Sequence, residues 1–256
     1  MQDWFDTPPG RYLLAWEQAQ FDAAVADVFG YHALQLGLPQ VQGLRTNRMP
    51  HQWLARSEVP VNTAPAHQFI TDFSALPFAE NSLDLVLLPH ALELNADPHA
   101  TLREVERVLV PEGRVVICGL NPTSLWGLRQ KRARLYQRIG VGQLYLPESG
   151  DFIGYRRLRD WLRLLSFEVD SAHFGVWRPA FRGEAWLQRF EWMDSLGERW
   201  WPIFGAAYCV VAVKRVRGMK LLGPTWKNTR KLVTSPAPVS VAGRAHSTRA
   251  TSDFDT

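Results

Sequence analysis

The chain has 256 residues, of which 46% are hydrophobic and 21% charged, and its formal net charge at pH 7 is +4. These values are typical of a soluble globular protein, and the length suits one α/β domain with a tail. The sequence shows neither a long apolar run nor a secretory signal, so we expect no transmembrane segment and a cytoplasmic location. Cys118 and Cys209 lie in apolar runs, which predicts two buried thiols rather than a disulfide or a metal site.

The N-terminal part predicts a lead-in, one helix and two strands. Residues 1–10 end in two prolines and a glycine and are expected to be extended. Apolar residues recur at helical spacing over residues 11–29, until Gly30 stops the pattern. The apolar run of residues 31–38 predicts the first strand, and residues 51–59 are a candidate second strand after a loop.

The clearest stretch is residues 69–119, which begins at the end of a short third strand. An apolar run over residues 83–88 predicts the fourth strand. Asp97 is a favourable N-cap, Pro98 suits the first helical position, and Gly113 ends the predicted helix. An apolar strand follows at once. Strand, helix and strand within about forty residues indicate a parallel βαβ unit with a right-handed crossover.

The C-terminal half predicts two inserts between regular elements. Residues 124–139 predict a strongly basic helix, which either meets an anionic substrate or is a solvated helix face. A helix over residues 155–165 and a strand over residues 167–173 follow. Residues 177–201 are rich in tryptophan: they line an apolar pocket, form a partner surface, or pack the insert onto the sheet, which we favour. The final strand, over residues 204–213, is expected to be antiparallel.

These elements define the expected domain organisation. A lead-in of residues 1–10 precedes one domain of residues 11–214, which has inserts at about 120–154 and 174–203. Residues 215–256 are rich in basic, Pro, Ser and Thr residues and lack an apolar period, so we expect a disordered basic tail. Its charge predicts at most weak, salt-sensitive contact with nucleic acid or an anionic membrane.

Residues 72–113 carry a set of short motifs in a fixed order. They are Asp72, Leu76-Pro77-Phe78, Ser82-Leu83-Asp84-Leu85-Val86, Arg107-Val108-Leu109 and Pro111-Glu112-Gly113. As a set, they resemble the second half of a class I S-adenosylmethionine-dependent methyltransferase with a type 11 domain. Residues 10–215 are also similar to a small group of uncharacterised bacterial methyltransferase-like proteins. The resemblance implies an α/β three-layer sandwich with a seven-stranded, mostly parallel sheet, S-adenosylmethionine as the cofactor, and an unknown methyl acceptor.

The first half of the implied cofactor site departs from the family pattern. The family has an acidic residue and a Gly-x-Gly-x-Gly loop after the first strand, whereas here Gln35 replaces the acid and only Gly37 remains. The resemblance places both beside the methionine part of the cofactor, although a simple turn explains Gly37 equally well. Glu58 lies at about the separation at which the family has a ribose-binding acid, and its alternative is an exposed loop acid.

The second half matches the family better. The resemblance places Asp72 and Phe73 against adenine, and the alternative for Asp72 is a loop cap. Leu88 precedes Pro89 and His90 at the position that faces the cofactor. His90 is a candidate general base for the methyl acceptor, and its alternative is a hydrogen-bonded histidine at a strand end.

Three functions remain open at this point, and one of them is an RNA- or membrane-associated accessory protein that makes contact through the basic insert and tail. The motif set predicts an S-adenosylmethionine-dependent methyltransferase that acts on a small molecule or a nucleic acid. The altered glycine loop favours instead a methyltransferase-fold protein without catalysis, which serves as a binding or regulatory module, for example on RNA. No cluster of His, Cys, Asp and Glu has the spacing of metal ligands, so we expect no metal.

Overall fold

The computed structural model describes residues 2–57, 67–137, 144–146 and 152–215. Its strands are β1 (His32–Leu36), β2 (His51–Arg56), β3 (Gln68–Ile70), β4 (Leu83–Pro89), β5 (Leu109–Leu120), β6 (Phe167–Gly175) and β7 (Ala207–Lys214). They form one seven-stranded sheet in the order β3-β2-β1-β4-β5-β7-β6, in which β7 is antiparallel to both neighbours and the other pairs are parallel. The expected α/β class with a mostly parallel sheet is confirmed.

Helices cover both faces of this sheet. They are α1 (Gln2–Phe5), α2 (Pro8–Val25), α3 (Ala91–Leu94), α4 (Pro98–Val108), α5 (Leu125–Gln137), α6 (Tyr155–Leu164), α7 (Glu184–Arg189) and α8 (Trp192–Trp200). α2 buries Leu13, Phe21 and Val25 on one face, and α4 and α6 bury Leu102 and Leu158 on the other, which makes three layers. No described helix combines the length and apolar composition that a bilayer crossing needs.

The N-terminus is helical almost from its start, so the expected extended lead-in over residues 1–10 is wrong. The Thr7 hydroxyl accepts a hydrogen bond from the Gly10 amide at 3.3 Å and caps α2. Pro8 and Pro9 occupy the first helical positions, where the missing amide hydrogens cost nothing. α2 also ends earlier than expected, at Val25. The two prolines therefore start a helix rather than prevent one.

The connection between β1 and β2, residues 37–50, contains turns and no helix. It packs on α2 instead: the Asn47 side-chain amide donates to the carbonyl oxygens of Val25 and Val28, both at 3.0 Å. Arg45 pairs with Asp22 of the same helix. The long N-terminal helix therefore supports the loop that follows β1.

α4 and β5 meet earlier than the apolar pattern predicts. Asp97 caps α4 as expected, because its Oδ1 accepts from the Ala100 amide at 2.9 Å. The helix ends at Val108 rather than near Gly113, since the next residue already pairs with the start of β4. Residues 109–113, which helical spacing assigns to α4, therefore belong to β5 instead, because the strand pairs with β4.

Several residues of the motif set hold this scaffold together. Asp84 Oδ2 accepts hydrogen bonds from the backbone amides of Tyr31, at 2.8 Å, and His32, at 2.9 Å. These bonds tie β4 to the start of β1. The Arg107 guanidinium donates to the carbonyl oxygens of Leu76 at 3.2 Å and Phe78 at 2.9 Å. It therefore ties α4 to the loop after β3. Asp84 and Arg107 of the motif set therefore stabilise the fold, in addition to any role of the set in a ligand site.

Both inserts leave the sheet at the edge where its parallel strands end. Ala207, at the start of β7, pairs with two strand ends. They are Leu120, the last residue of β5, and Gly175, the last residue of β6. The expectation that the tryptophans pack the second insert onto the sheet is wrong for most of them. Half or more of the side-chain surface is exposed at Trp186, Trp192, Trp200 and Trp201.

Candidate functional site

A pocket of about 390 Å³ opens at the edge of the sheet where β2 and β3 end. Its walls include Ser57 after β2, residues 70–73 at and after β3, and Leu94 and Asn95 at the end of α3. Next to β2 in the sheet lie β1 and then β4. The order of the strands along the sheet reverses between β1 and β4. In open parallel sheets, ligands bind outside the carboxyl ends of the strands at this reversal. The pocket is therefore the first candidate for a ligand site.

Asp72 and Phe73 form one wall of this pocket. Asp72 is exposed, and its Oδ1 accepts a hydrogen bond from the Ser74 amide at 2.9 Å. Hydrogen bonds from the Ser74 amide and hydroxyl lower the pKa of Asp72, so this carboxylate is an ionised acceptor at neutral pH. Phe73 is buried among core side chains, which fixes its position. A fixed acceptor beside a fixed aromatic ring suits a flat ring that carries an amino group.

Gln35 holds the loop after β1. Its buried side-chain amide donates to the carbonyl oxygens of Leu38 at 2.9 Å and Val41 at 2.6 Å. Its carbonyl oxygen accepts from the Gly43 amide at 3.1 Å. Both donors and the acceptor of the side chain are thus used within the loop. A carboxylate could not make the two donations, which explains why glutamine, and not an acid, suits this loop.

Gly37 begins the loop with a φ of 91°, in the left-handed region that favours glycine. A Cβ at this position would lie 3.6 Å from the Pro89 carbonyl oxygen and 3.9 Å from the side chains of Ala91 and Phe73. These are ordinary contact distances, so backbone conformation rather than space requires glycine. They also show that the loop, the end of β4 and Phe73 meet at one point at the border of the pocket.

His90 directly follows β4 and is completely buried. Its Nε2 lies 2.6 Å from Oε1 of Glu17 in α2, and its Nδ1 lies 2.8 Å from Oε2 of Glu93 in α3. Burial by itself would lower the pKa of His90, but the two carboxylates outweigh burial and raise it to about 10. His90 is therefore an imidazolium at neutral pH, and both of its ring nitrogens are already engaged.

Two buried side-chain oxygens at this edge accept no hydrogen bond from the described residues. They are Oε2 of Glu17, whose other oxygen contacts His90, and Oε1 of Gln40 in the loop after β1. A buried acceptor without a donor costs about 1–3 kcal/mol. Neither residue lines the pocket, and Glu17 is completely buried against His90.

Comparison with known proteins identifies the architecture. A family model described as a methyltransferase domain matches residues 45–117. The uncharacterised protein YafS of Escherichia coli is 33% identical over 170 residues, which cover 65% of this chain and 65% of YafS. A malonyl-[acyl-carrier protein] O-methyltransferase of Coxiella burnetii is 32% identical over 101 residues, 39% of this chain and 35% of its own length.

A solved structure extends the likeness to most of the chain. It is the complex between the Haloferax volcanii Trm112 methyltransferase activator and the putative methyltransferase, of which one chain matches with a TM-score of 0.55 at 19% identity. The match covers 85% of this chain and 96% of the other. The chain has the class I methyltransferase-like fold, and residues 45–117 match a methyltransferase domain. The residues that the family model matches include the motif set of residues 72–113.

The methyltransferase-like fold brings three of the predicted cofactor residues together. Asp72 and Phe73 line the pocket, and Gly37 lies against Phe73 at its border. These positions agree with the roles that the resemblance implies, and the roles themselves stay predictions.

The other predicted residues lie elsewhere or are engaged. The side chain of Gln35 is used within its loop, and Leu88 is fully buried beneath α4 and α6. Neither side chain faces the pocket, so any contact with a cofactor would use their backbone. His90 is enclosed, and its role as a base stays a prediction. Glu58 lies outside the described residues. Among the described residues, no group of His, Cys, Asp and Glu is arranged to hold a metal ion.

The two acids beside His90 were not predicted from the sequence. Glu17 lies four residues from Leu13 and from Phe21, within the apolar stripe of α2, and is completely buried. An acid inside an apolar stripe is a recognisable signal for a buried pair. Glu93 carried no such signal, because α3 is too short to show a period.

Proposed function

We propose that this chain is a methyltransferase that binds S-adenosylmethionine at the ends of β1 to β4 and methylates an acceptor still to be identified. The observation that carries the proposal is the pocket in which the ionised Asp72 and the fixed Phe73 form a wall. A relative that is a methyltransferase by name supports the reaction class.

In the proposed complex, the cofactor supplies a methyl group activated by a positively charged sulfur. Asp72 accepts a hydrogen bond from the adenine amino group, and Phe73 borders the ring. Gln35 keeps residues 37–43 in the shape that leaves the edge open. In-line transfer depends mainly on holding donor and acceptor in position, and needs a base only when the acceptor must lose a proton.

His90 acts in this proposal mainly by position. It holds α2 over the end of β4 through Glu17 and orders α3, which forms part of the pocket, through Glu93. Before the imidazole could act as a general base it would have to lose a proton that two carboxylates stabilise. The proposal therefore does not require His90 to remove a proton from the acceptor.

Calorimetric titration with S-adenosylhomocysteine tests the site. We expect the wild type to bind and Asp72→Ala to weaken binding about tenfold or more, because a charged acceptor is lost. Asp170→Ala, at an exposed aspartate on β6, is the matched control and should bind like the wild type. Absence of binding by the wild type at about millimolar ligand, or equal losses in both variants, would overturn the proposed site.

A binding or regulatory role without turnover is the second candidate. One observation favours it: Gln35 organises a turn-rich loop in the place where the family pattern has a glycine-rich loop. The two candidates differ in product formation. A methyltransferase added to fractionated cell extract with S-adenosylmethionine produces S-adenosylhomocysteine above the level of the Asp72→Ala variant, whereas a binding module leaves that level unchanged.

We also propose a cytoplasmic location. Cys118 and Cys209 are free and buried, and they face each other across β5 and β7. Burial raises the pKa of the Cys118 thiol, which keeps it protonated and unreactive. Two unjoined neighbouring cysteines suit a reducing compartment. Contact of the basic tail with nucleic acid stays a prediction.

A further inference from the structure

The first insert presents an apolar face outside the cofactor pocket. A groove of about 490 Å³ runs between α5 and the beginning of the second insert. Leu125, Leu128 and Tyr136 line it from α5, and Phe181 lines it from the other side. The three α5 residues are 52%, 55% and 46% exposed, so the described residues leave about half of the surface of each uncovered. Residues three and four apart share this face, as expected for a helix that is apolar on an outer side.

An aromatic row continues this face along the second insert. The ring of Phe181 lies 5.3 Å from Trp186 and 5.7 Å from Phe190, and Phe190 lies 6.4 Å from Trp192, measured between ring centres. We call the groove face of α5 together with the row from Phe181 to Trp192 the insert surface. Single exposed apolar residues are common, but a contiguous patch on two neighbouring elements marks an interaction surface.

On the part of the insert surface that α5 forms, all charged side chains are positive. α5 carries Arg129, Lys131, Arg132 and Arg134, and residues 122–146 contain no Asp or Glu. The second insert has four acids. Asp194 is paired with Arg178 at 2.9 Å, and Glu191 lies 3.6 Å from the same guanidinium. Glu184 pairs with Arg11 at 3.5 Å, and Glu198 is exposed. The groove therefore joins exposed apolar side chains to cations, with Arg129 and Arg132 in its wall.

We propose that the insert surface docks the protein on an anionic phospholipid bilayer. Tryptophan and phenylalanine rings bury favourably at the depth of the headgroups, while arginine and lysine reach lipid phosphates. RNA would match the cations but leave the leucines of α5 in water. A second copy placed symmetrically on α5 would bring its cations against the same cations. An anionic bilayer matches both the apolar side chains and the charge.

Vesicle sedimentation with the full chain tests this inference. Vesicles of phosphatidylcholine alone are compared with vesicles that contain about one quarter phosphatidylglycerol, at about 0.15 M salt. We expect binding to the anionic vesicles and little binding to the neutral ones. Leu128→Ser combined with Arg132→Glu should lower the partition coefficient by about tenfold or more, because one apolar contact is lost and one charge is reversed.

The matched control combines Leu164→Ser with Arg163→Glu on α6, where Leu164 is 83% exposed on the opposite face of the sheet. It should bind within about twofold of the wild type, since the same net charge change falls away from the surface. The basic tail is identical in both variants, so their difference reports on the insert surface. All four positions are exposed, and unchanged circular dichroism confirms folding.

Three outcomes would overturn the inference. They are wild-type binding that ignores lipid charge, equal binding by both double variants, and a dimer in solution that the α5 variant alone dissociates. The last would assign the surface to a second copy. Quenching of tryptophan fluorescence by brominated lipid provides an independent measurement, and it should fall when Trp186→Phe and Trp192→Phe are combined. None of these readouts depends on methyl transfer.

Discussion

At the scale of single residues, the buried charges around His90 are the most constrained feature of the molecule. His90 lies between Glu17 and Glu93, and the second oxygen of Glu93 accepts from the Leu120 amide at 2.6 Å. One imidazolium thus links α2, α3 and the ends of β4 and β5. Removing one member of a buried ion pair leaves its partner uncompensated, which costs about 3–5 kcal/mol.

The first residue-scale prediction concerns His90→Gln. The pKa of His90 in the folded protein, about 10, lies above its ordinary value of 6.5. The bound proton therefore stabilises the fold fully below about pH 6.5, and this contribution is lost as pH rises through about 10. We expect His90→Gln to lower the free energy of unfolding by about 3–5 kcal/mol at pH 7.

Urea unfolding at a series of pH values measures this effect. The wild type should lose stability between about pH 7 and pH 10, and the difference from His90→Gln should shrink over the same range. His173→Gln, at an exposed histidine of β6, is the control and should follow the wild type. Parallel curves for the wild type and His90→Gln would show that His90 is not charged in the fold.

At the scale of elements, α2 determines how the sheet is covered. Its side chains pack on β1, β4, β5 and β7, and the loop after β1 rests on its C-terminal half. At the middle of the helix, Trp16 lies directly against the backbone of Gly175 at the end of β6. One helix thus spans most of the width of the sheet on this face.

An element-scale prediction follows from the Trp16 contact. A Cβ at Gly175 would lie 2.0 Å from Cε2 of Trp16, so Gly175→Ala forces the ring or the strand to move. We expect a loss of about 1–3 kcal/mol in the free energy of unfolding. Trp16→Ala removes the obstacle, so the double variant should be more stable than the sum of the single losses predicts. Strict additivity in denaturant unfolding would contradict this contact.

The strands and the start of α4 could be predicted from sequence, since apolar runs and the Asp97-Pro98 start depend on local patterns, whereas the Thr7 cap of α2 was not predicted. The end of α4 could not, because pairing of Leu109 with β4 overrides helical spacing. Likewise, Asp72, Phe73 and Gly37 lie at or beside the pocket, whereas the Glu17 contact depends on how α2 lies across the sheet. Local patterns reveal elements, and tertiary packing decides which polar groups meet.

At the scale of the whole molecule, α2 also fastens the second insert to the domain. The Tyr12 hydroxyl donates to Asp194 of α8, and the Arg178 guanidinium lies 4.4 Å above the Tyr12 ring while it pairs with Asp194. Burial, together with the hydrogen bond and charge of Asp194, raises the pKa of Tyr12 well above its ordinary value, so the hydroxyl stays a donor. The proposed lipid-binding surface is therefore anchored to the same helix that packs over the end of β4 through Glu17 and His90.

A whole-molecule prediction concerns Asp194→Asn. Neutralising this carboxylate weakens both the Arg178 pair and the Tyr12 hydrogen bond, which loosens the insert but leaves the sheet intact. We expect limited proteolysis within residues 178–203 to become several-fold faster while the melting temperature falls by only a few degrees. Asp170→Asn on β6 is the control. Cleavage at the wild-type rate would show that these contacts do not fasten the insert.

The position of α2 in the chain has a consequence for biosynthesis. The helix is synthesised before β7, yet its apolar face packs on Cys209 and Val211 of that strand. At translation rates of about 5–20 residues per second, this face waits on the order of ten seconds for its partner. An amphipathic segment exposed for that time on the ribosome is a natural ligand for chaperones. Contacts between distant parts of a chain also slow folding, so α2 docking is expected to be a late step.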